Sequence, residues 1–141
     1  MGDKGLINIA STRLNRGVFI YTDVYGTELL DIVKKALYIK KDWHSSIKLS
    51  TIILRTIASI EECSDFESFG ITEYPLPVDW NVLRLECKRE AVIFMTEGWN
   101  GLSTGYKLST VVKKYSFEDF IKTNDAELGK FYEYGKDTIP V

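Results

Sequence analysis

The chain has 141 residues, a length that fits one domain able to bury its own core without metal or disulfides. Its 45% hydrophobic and 27% charged residues are typical of a folded globular protein, and its net charge of −2 supplies no overall positive field toward nucleic acid or anionic lipid. No apolar run approaches the roughly 20 residues that cross a bilayer. Because the N-terminal residues also lack the apolar segment of a secretory signal, we expect a cytoplasmic protein without a membrane partner.

The first predicted elements form a β-hairpin. Residues 6–10 and 17–22 are apolar runs of strand length, and the segment Asn15-Arg16-Gly17 between them has the residue types of a turn. The shortness of this connection predicts that the two strands pair directly.

Two amphipathic helices are predicted next. The first begins with Thr27 as its N-cap and continues for about four turns, because its apolar residues recur at helical spacing. The second follows a cap at Ser45 or Ser46. Its β-branched residues alone would also allow a strand, but their spacing favours a helix. The predicted buried stripe of this helix comprises Leu49, Ile52, Ile53, Ile57 and Ile60.

The middle of the chain predicts further strands. An acidic, polar loop spans residues 61–68, and a strand over residues 69–74 ends at Pro75 and Pro77, which cannot serve inside a ladder. Residues 81–96 are then predicted to form an antiparallel hairpin with a charged turn.

Alternation in the first strand of that hairpin assigns its side chains to two faces. Leu83, Leu85 and Cys87 alternate with other positions, so they are predicted to point into the core. The residues predicted to face solvent are Val82, Arg84, Glu86 and Lys88. The sheet is therefore expected to have one buried and one solvent-exposed face.

The last elements complete an α+β pattern. A glycine-rich connection spans residues 97–101, a strand is predicted over 106–112, Ser116 begins a helix, and a second short helix is predicted from Asn124. Helices that follow each other, rather than alternate with strands, favour an antiparallel sheet with helices on one face. We predict a single α+β domain over residues 1–141, with about five to six antiparallel strands, two main helices on one face and a short C-terminal helix.

The sequence lacks recognisable motifs for catalysis or cofactor binding. His44 is the single histidine, which excludes histidine-based metal clusters and two-histidine proton relays. Cys63 and Cys87 lack the spacing of a zinc site. Cys87 is predicted to be a core residue, and Cys63 lies in the acidic loop, where a thiol is a poor nucleophile. We expect no catalytic residues, no metal and no cofactor.

The predicted partner-binding site is formed by tryptophans in the connections between elements. Tryptophan and tyrosine are favoured contact residues because they bury a large area at low entropic cost. Each predicted anchor has a carboxylate near it, which suits a basic protein partner. The predicted contact residues are Trp43, Asp79, Trp80, Glu97, Trp99 and Asn100. The open alternative is that the tryptophans cap the ends of the core.

The leading hypothesis for function is a non-catalytic interaction protein, such as an inhibitor, a toxin-immunity protein or a phage or mobile-element accessory protein. One alternative is a small-molecule or nucleotide site at the glycine-rich loop of residues 98–105 with Lys107. Another is nucleic-acid binding through the two helices, which the acidic net charge disfavours. The basic residues of those helices and their connections are Lys34, Lys35, Lys40, Lys41, Lys48 and Arg55. A homodimer formed through an edge strand is also compatible with the pattern.

Overall fold

The computed structural model describes residues 3–60, 68–74, 76, 78–96 and 111–133, which form a six-stranded mixed sheet and four α-helices. The strands are β1 Gly5–Ala10, β2 Val18–Thr22, β3 Phe69–Thr72, β4 Val82–Glu86, β5 Ala91–Met95 and β6 Val111–Ser116. The helices are α1 Leu29–Tyr38, α2 Ser46–Ser59, α3 Phe117–Lys122 and α4 Asp125–Tyr132. The predicted α+β class, with its short C-terminal helix, is confirmed.

The strands of the sheet are ordered β3-β2-β1-β4-β5-β6. Two antiparallel hairpins, β1–β2 and β4–β5, lie side by side, and β1 pairs with β4 in parallel. This central pair makes the sheet mixed, whereas the sequence predicted antiparallel strands throughout. A parallel pair needs a long crossover, and the chain between β2 and β4 supplies it with α1, α2 and β3.

The main hydrophobic core lies between the helices and one face of the sheet. It contains alternate residues of the strands, such as Ile7 and Ile9 of β1 and Leu83 and Leu85 of β4, as expected for the buried face of a sheet. The helix residues in this core are Leu29, Ile32, Val33, Ala36, Leu37, Leu49, Ile52, Ile53, Ile57, Phe117, Phe120, Leu128 and Tyr132. The two main helices therefore pack on one face, as predicted.

The start of α1 differs from its prediction. Thr27 is not the N-cap, because residues 26–28 form a 3-10 turn and α1 begins at Leu29. Asp3 supplies the capping oxygen from a distant part of the chain: its Oδ1 accepts from Thr27 N at 2.8 Å and from Thr27 Oγ1 at 2.6 Å. The helix is also shorter than predicted, at 10 residues, and ends before Lys40, whose φ of 57° is left-handed.

The caps of the other helices agree with the sequence. Ser45 caps α2 by accepting from Lys48 N at 3.1 Å, Ser116 caps α3, and Asn124 caps α4. The predicted strand over 69–74 is present as β3, and the hairpin of residues 81–96 is present as β4–β5. The predicted strand over 106–112 overlaps β6, and its positions 106–110 lie outside the described residues.

The prediction that Val82, Arg84 and Glu86 face solvent is wrong, because all three are buried. Arg84 is 3% exposed and Glu86 is 2% exposed, so β4 is buried on both faces. The second face of the sheet also has a smaller hydrophobic cluster of its own, containing Leu6, Phe19, Val78 and Val82. The side chains of β4 do alternate between the two faces of the sheet, as predicted, but the face that carries Arg84 and Glu86 is covered by other residues.

The part of the chain that the structure describes contains no helix with the length and apolar composition needed to span a membrane.

Candidate functional site

A buried ion pair occupies the second face of the sheet. Arg84 Nε donates to Glu86 Oε2 at 2.8 Å, and Arg84 Nη1 donates to Oδ1 of Asn8, which is its partner across the parallel β1–β4 pair. Charges taken out of water destabilise a protein unless they are paired and their hydrogen bonds are satisfied. Two residues apart on one strand, Arg84 and Glu86 point to the same face and can satisfy each other.

The loop between β1 and β2, residues 11–17, closes over the guanidinium of Arg84. This β1–β2 loop turns four main-chain carbonyl oxygens inward, at distances of 2.9–3.5 Å from Nη1 and Nη2. Asn8 Nδ2 adds bonds to the carbonyls of Arg16 and Val18, at 2.8 and 3.1 Å. The carbonyls that accept from Arg84 belong to Thr12, Arg13, Asn15 and Arg16. One buried cation therefore fixes the path of the loop.

The ends of the β1–β2 loop are fixed as well. Ser11 O accepts from Lys88 N at 2.9 Å, and the Ser11 hydroxyl lies 3.2 Å from that of Ser46 at the start of α2. At the other end Gly17 has a φ of 80°, and a Cβ there would lie 2.2 Å from the carbonyl oxygen of Ile9. Only glycine fits that position without a shift of the backbone.

The β1–β2 loop exposes side chains while its backbone is held. Leu14 is 88% exposed at the tip, between the exposed residues Arg13 and Arg16. The Arg16 guanidinium donates to Glu73 O at 3.3 Å and lies 5.7 Å from the ring centroid of Tyr74, which is 62% exposed. Arg13, Leu14, Arg16 and Tyr74 are called the Leu14 patch below. Arginine and tyrosine are among the residue types enriched at binding hot spots.

Two of the tryptophans predicted as anchors, Trp43 and Trp80, are partly buried against the core. Trp43 Nε1 donates to Leu37 O at 3.1 Å, and the ring meets Phe117 of α3 edge-on, with 5.1 Å between centroids. Trp80 Nε1 donates to Asp3 Oδ1 at 2.9 Å, and the ring stacks on Tyr132 of α4 at 4.9 Å. Both indole N–H groups thus have acceptors within the chain.

The remaining predicted contact residues divide into two groups. Asp79 is exposed, and its Oδ2 accepts from Lys4 N at 2.8 Å. Trp43 packs against α3 whereas Trp80 and its neighbour Asp79 lie near α4 and the N-terminal segment, so the structure places the described residues beside different elements. Glu97, Trp99 and Asn100 lie outside the described residues. Their role in partner binding stays a prediction.

The nucleophiles and titratable groups singled out in the sequence have structural contacts. His44 Nε2 lies 2.5 Å from Glu90 Oε2, while Ser45 caps α2 and the Ser46 hydroxyl faces Ser11. Cys87 is a core residue, as the sequence predicted, and burial raises the pKa of its thiol to about 11.

Two other predicted features concern metal and small-molecule sites. Within residues 3–60, 68–74, 76, 78–96 and 111–133, no group of three His, Cys, Asp or Glu side chains could hold a metal ion. The glycine-rich loop of residues 98–105, Lys107 and Cys63 lie outside that part of the chain.

No family model, curated protein or solved structure matches this chain. The candidate site is therefore identified from the geometry of its residues alone.

Two signals in the sequence point to the Arg84 network in retrospect. Asn8 interrupts the apolar run of β1, and an Arg and a Glu two residues apart share one face of β4. Each signal is ordinary for a solvated strand. Their meaning depends on the parallel register that places Asn8 beside Arg84, which is a contact across 76 residues of chain.

Proposed function

We propose that this protein is a non-catalytic interaction protein that docks on another protein through the Leu14 patch. The observation that carries the proposal is the preorganised β1–β2 loop, where the buried Arg84 holds four carbonyls while Leu14 projects into solvent. An isolated exposed leucine on a surface is ordinary. Leu14 differs from such a leucine because its loop is held by the buried Arg84, whose hydrogen bonds are all made within the protein. This arrangement favours a binding role.

Preorganisation supports a binding role because it removes part of the free-energy cost of association. A flexible loop loses conformational entropy when a partner orders it, whereas a loop already held by hydrogen bonds loses less. The buried ion pair is weak evidence for stability, since apolar residues of similar volume often stabilise a core equally well. Its specific effect here is to fix one conformation of residues 12–16.

The chemistry of the Leu14 patch supports an acidic partner with a small apolar cleft. Leu14 fits an apolar recess, while Arg13 and Arg16 on either side complement a carboxylate rim. Tyr74 extends the contact surface beside Arg16. The carboxylates near the tryptophans suggested a basic partner instead. Of the two that the structure describes, Asp79 accepts from the Lys4 backbone and Asp42 lies in the segment after α1, so neither belongs to the Leu14 patch. An inhibitor, immunity protein or accessory protein would use such a surface to occlude its target.

A photo-crosslinking residue at position 14 tests the proposal in extract of the source cells. We expect one protein to crosslink from position 14 and not from position 24, where the exposed Val24 provides a matched control. With that protein purified, Leu14→Asp should weaken binding at least about tenfold, or about 1.4 kcal/mol, and Arg13→Glu with Arg16→Glu should do the same. Equal crosslinking at both positions, or unchanged affinity in both variants, would contradict the proposal.

A further inference from the structure

A basic groove runs along the exposed side of α2. One wall is a single helical stripe, whose residues are Lys48, Thr51, Ile52, Arg55, Thr56 and Ser59. The opposite wall is the segment that follows α1, through Ile39, Lys41 and Asp42. The volume is about 590 Å³, within the range of roughly 300–1,000 Å³ found for ligand sites. We call this feature the α2 groove.

The charges of the α2 groove are unbalanced. Among the described residues that line the groove, Lys41, Lys48 and Arg55 are accompanied by one carboxylate, that of Asp42. Among the described residues, these three cations form no ion pair. The other basic residues of this region do: the partners are Lys34 and Asp125 at 2.9 Å, Lys35 and Asp31 at 3.0 Å, and Lys40 and Glu118 at 3.5 Å. Lys34, Lys35 and Lys40 are thus neutralised by carboxylates, whereas the three cations of the groove are available to a ligand.

The wall that carries Lys41 is held in place. Leu37 O, at the end of α1, accepts both from Lys40 N at 2.9 Å and from Trp43 Nε1 at 3.1 Å. Lys40 and Asp42 have φ values of 57° and 58°, a left-handed conformation that is unusual for residues other than glycine. Non-glycine residues are kept in such conformations where the surrounding structure imposes them, often at functional sites. The partly buried ring of Trp43 therefore helps to hold this wall of the groove.

The hydroxyl groups that line the groove already donate to main-chain carbonyls, so they are not donors to a ligand. Thr51 and Thr56 donate to the helix carbonyls four residues earlier, at 3.2 and 2.8 Å, and Ser59 donates to Thr56 O at 2.9 Å. Their hydrogens are committed, so the donors toward a ligand are the ammonium and guanidinium groups. Lys48 and Arg55 are seven residues apart on α2, which separates them by roughly 10 Å along the axis. Successive phosphates of a chain can therefore reach Lys48 and Arg55 with each side chain extended from its own turn of the helix.

We propose that the α2 groove binds phosphate esters, and that single-stranded nucleic acid is the ligand it fits. Arginine and lysine are the residues that neutralise phosphates in nucleic-acid sites, and the groove has Lys48 and Arg55 along one wall with Lys41 on the other. Ile39 and Ile52 offer an apolar floor for a sugar or base. The proposal is independent of the protein-binding role, because the Leu14 patch shares no residue with this groove.

Fluorescence anisotropy with a labelled 12-nucleotide single-stranded DNA, and with labelled ATP as a second probe, tests the proposal. We expect Lys48→Gln with Arg55→Gln to weaken oligonucleotide binding at least about tenfold, whereas the exposed Lys88→Gln, distant in sequence and outside the groove, leaves it unchanged. For three neutralised phosphates, log Kd should rise with log salt concentration with a slope of about 2. Circular dichroism and the urea midpoint check that each variant is folded.

The two probes separate the sources of phosphate. If ATP binds in a way that depends on Lys48 and Arg55 and the oligonucleotide does not bind, the groove is a phosphate site. Its ligand is then a mononucleotide, and the assignment of single-stranded nucleic acid is wrong. Absence of binding by both probes, or equal losses in the Lys88 variant, would overturn the proposal. Neither result would affect crosslinking from position 14, so the two proposals fail separately.

Discussion

Arg84 carries a full charge in the middle of a six-stranded sheet, and its removal should be costly because its ion-pair partner Glu86 stays buried. Arg84→Met leaves Glu86 as a buried unpaired carboxylate, and Glu86 Oε1 already has no hydrogen-bond partner among the described residues. Breaking a buried pair costs about 3–5 kcal/mol, so we expect the free energy of unfolding in urea to fall by that amount. Amide hydrogen exchange in residues 12–16 should quicken at the same time.

The paired variant is the matched control for that experiment. Arg84→Met with Glu86→Leu removes both charges, and should recover most of the lost free energy because no unpaired charge is left. The β1–β2 loop should nevertheless keep its faster exchange, since the guanidinium that held its carbonyls is absent. Slow exchange in the doubly substituted protein would show that Arg84 does not hold the loop, and would remove the main support for the proposed function.

At the same scale, the sequence assigned individual side chains correctly where only local spacing mattered. Leu83, Leu85 and Cys87 are buried as their alternation predicts. Arg84 and Glu86 were assigned to solvent because their charges are ordinarily solvated. Burial of such a pair depends on the partner strand and the covering loop, which are set by tertiary structure.

The segment that follows α1 allows a prediction at the scale of one element. Lys40 occupies a left-handed position after the helix, where glycine is the usual residue. Lys40→Gly removes a steric penalty of about 1 kcal/mol, and the ion pair it loses, with Glu118 at 3.5 Å, is exposed and worth little. We expect the free energy of unfolding to rise by about 0.5–1 kcal/mol in urea titrations.

Lys41→Gly is the control for this substitution. Lys41 is exposed and is not among the residues with positive φ, so glycine there adds freedom to the unfolded chain without relieving strain. The control should be neutral or slightly destabilising. Equal stabilisation by both substitutions would contradict the assignment of strain to position 40.

Elements were predictable where their signals are local, and less so where their partners are distant. The caps at Ser45 and Ser116 were visible because the accepting side chain and the donating N–H are three residues apart. The cap at the start of α1 was missed because its oxygen belongs to Asp3, 24 residues from Thr27. The parallel β1–β4 pair was missed for the same reason, since no turn joins those strands.

At the scale of the whole molecule, the Leu14 patch and the α2 groove both depend on contacts between residues that are far apart in the sequence. The Leu14 patch needs the β1–β4 register, and the α2 groove needs the turn that Trp43 fixes against α1 and α3. The lysine-bearing helices were identified from sequence as a possible basic surface. Which of their cations are already paired could be seen only once α3 and α4 were placed, because Glu118 and Asp125 lie on those helices.

The folded molecule should lose stability in alkaline solution. Burial raises the pKa of Cys87 from 9.0 to about 11, and burial followed by a hydrogen bond to Asp23 raises that of Tyr21 from 10.0 to about 12. Burial also raises the pKa of Tyr132 well above its usual range. In each case the folded state keeps a proton that the unfolded state releases. The stabilisation is therefore complete below about pH 9 and is lost as pH rises through the folded pKa values.

Urea titrations at half-unit steps from pH 7.5 to 11 measure this effect, in a Cys63→Ser background so that one thiol titrates. We expect the free energy of unfolding to fall from about pH 9 upward, with a contribution from Cys87 of about 2 kcal/mol by pH 11. In Cys87→Ala the fall should begin about one pH unit later, because only the tyrosines are left to titrate. If both proteins lose stability at the same pH, Cys87 is not held protonated by the core, and its burial beneath the helices is wrong.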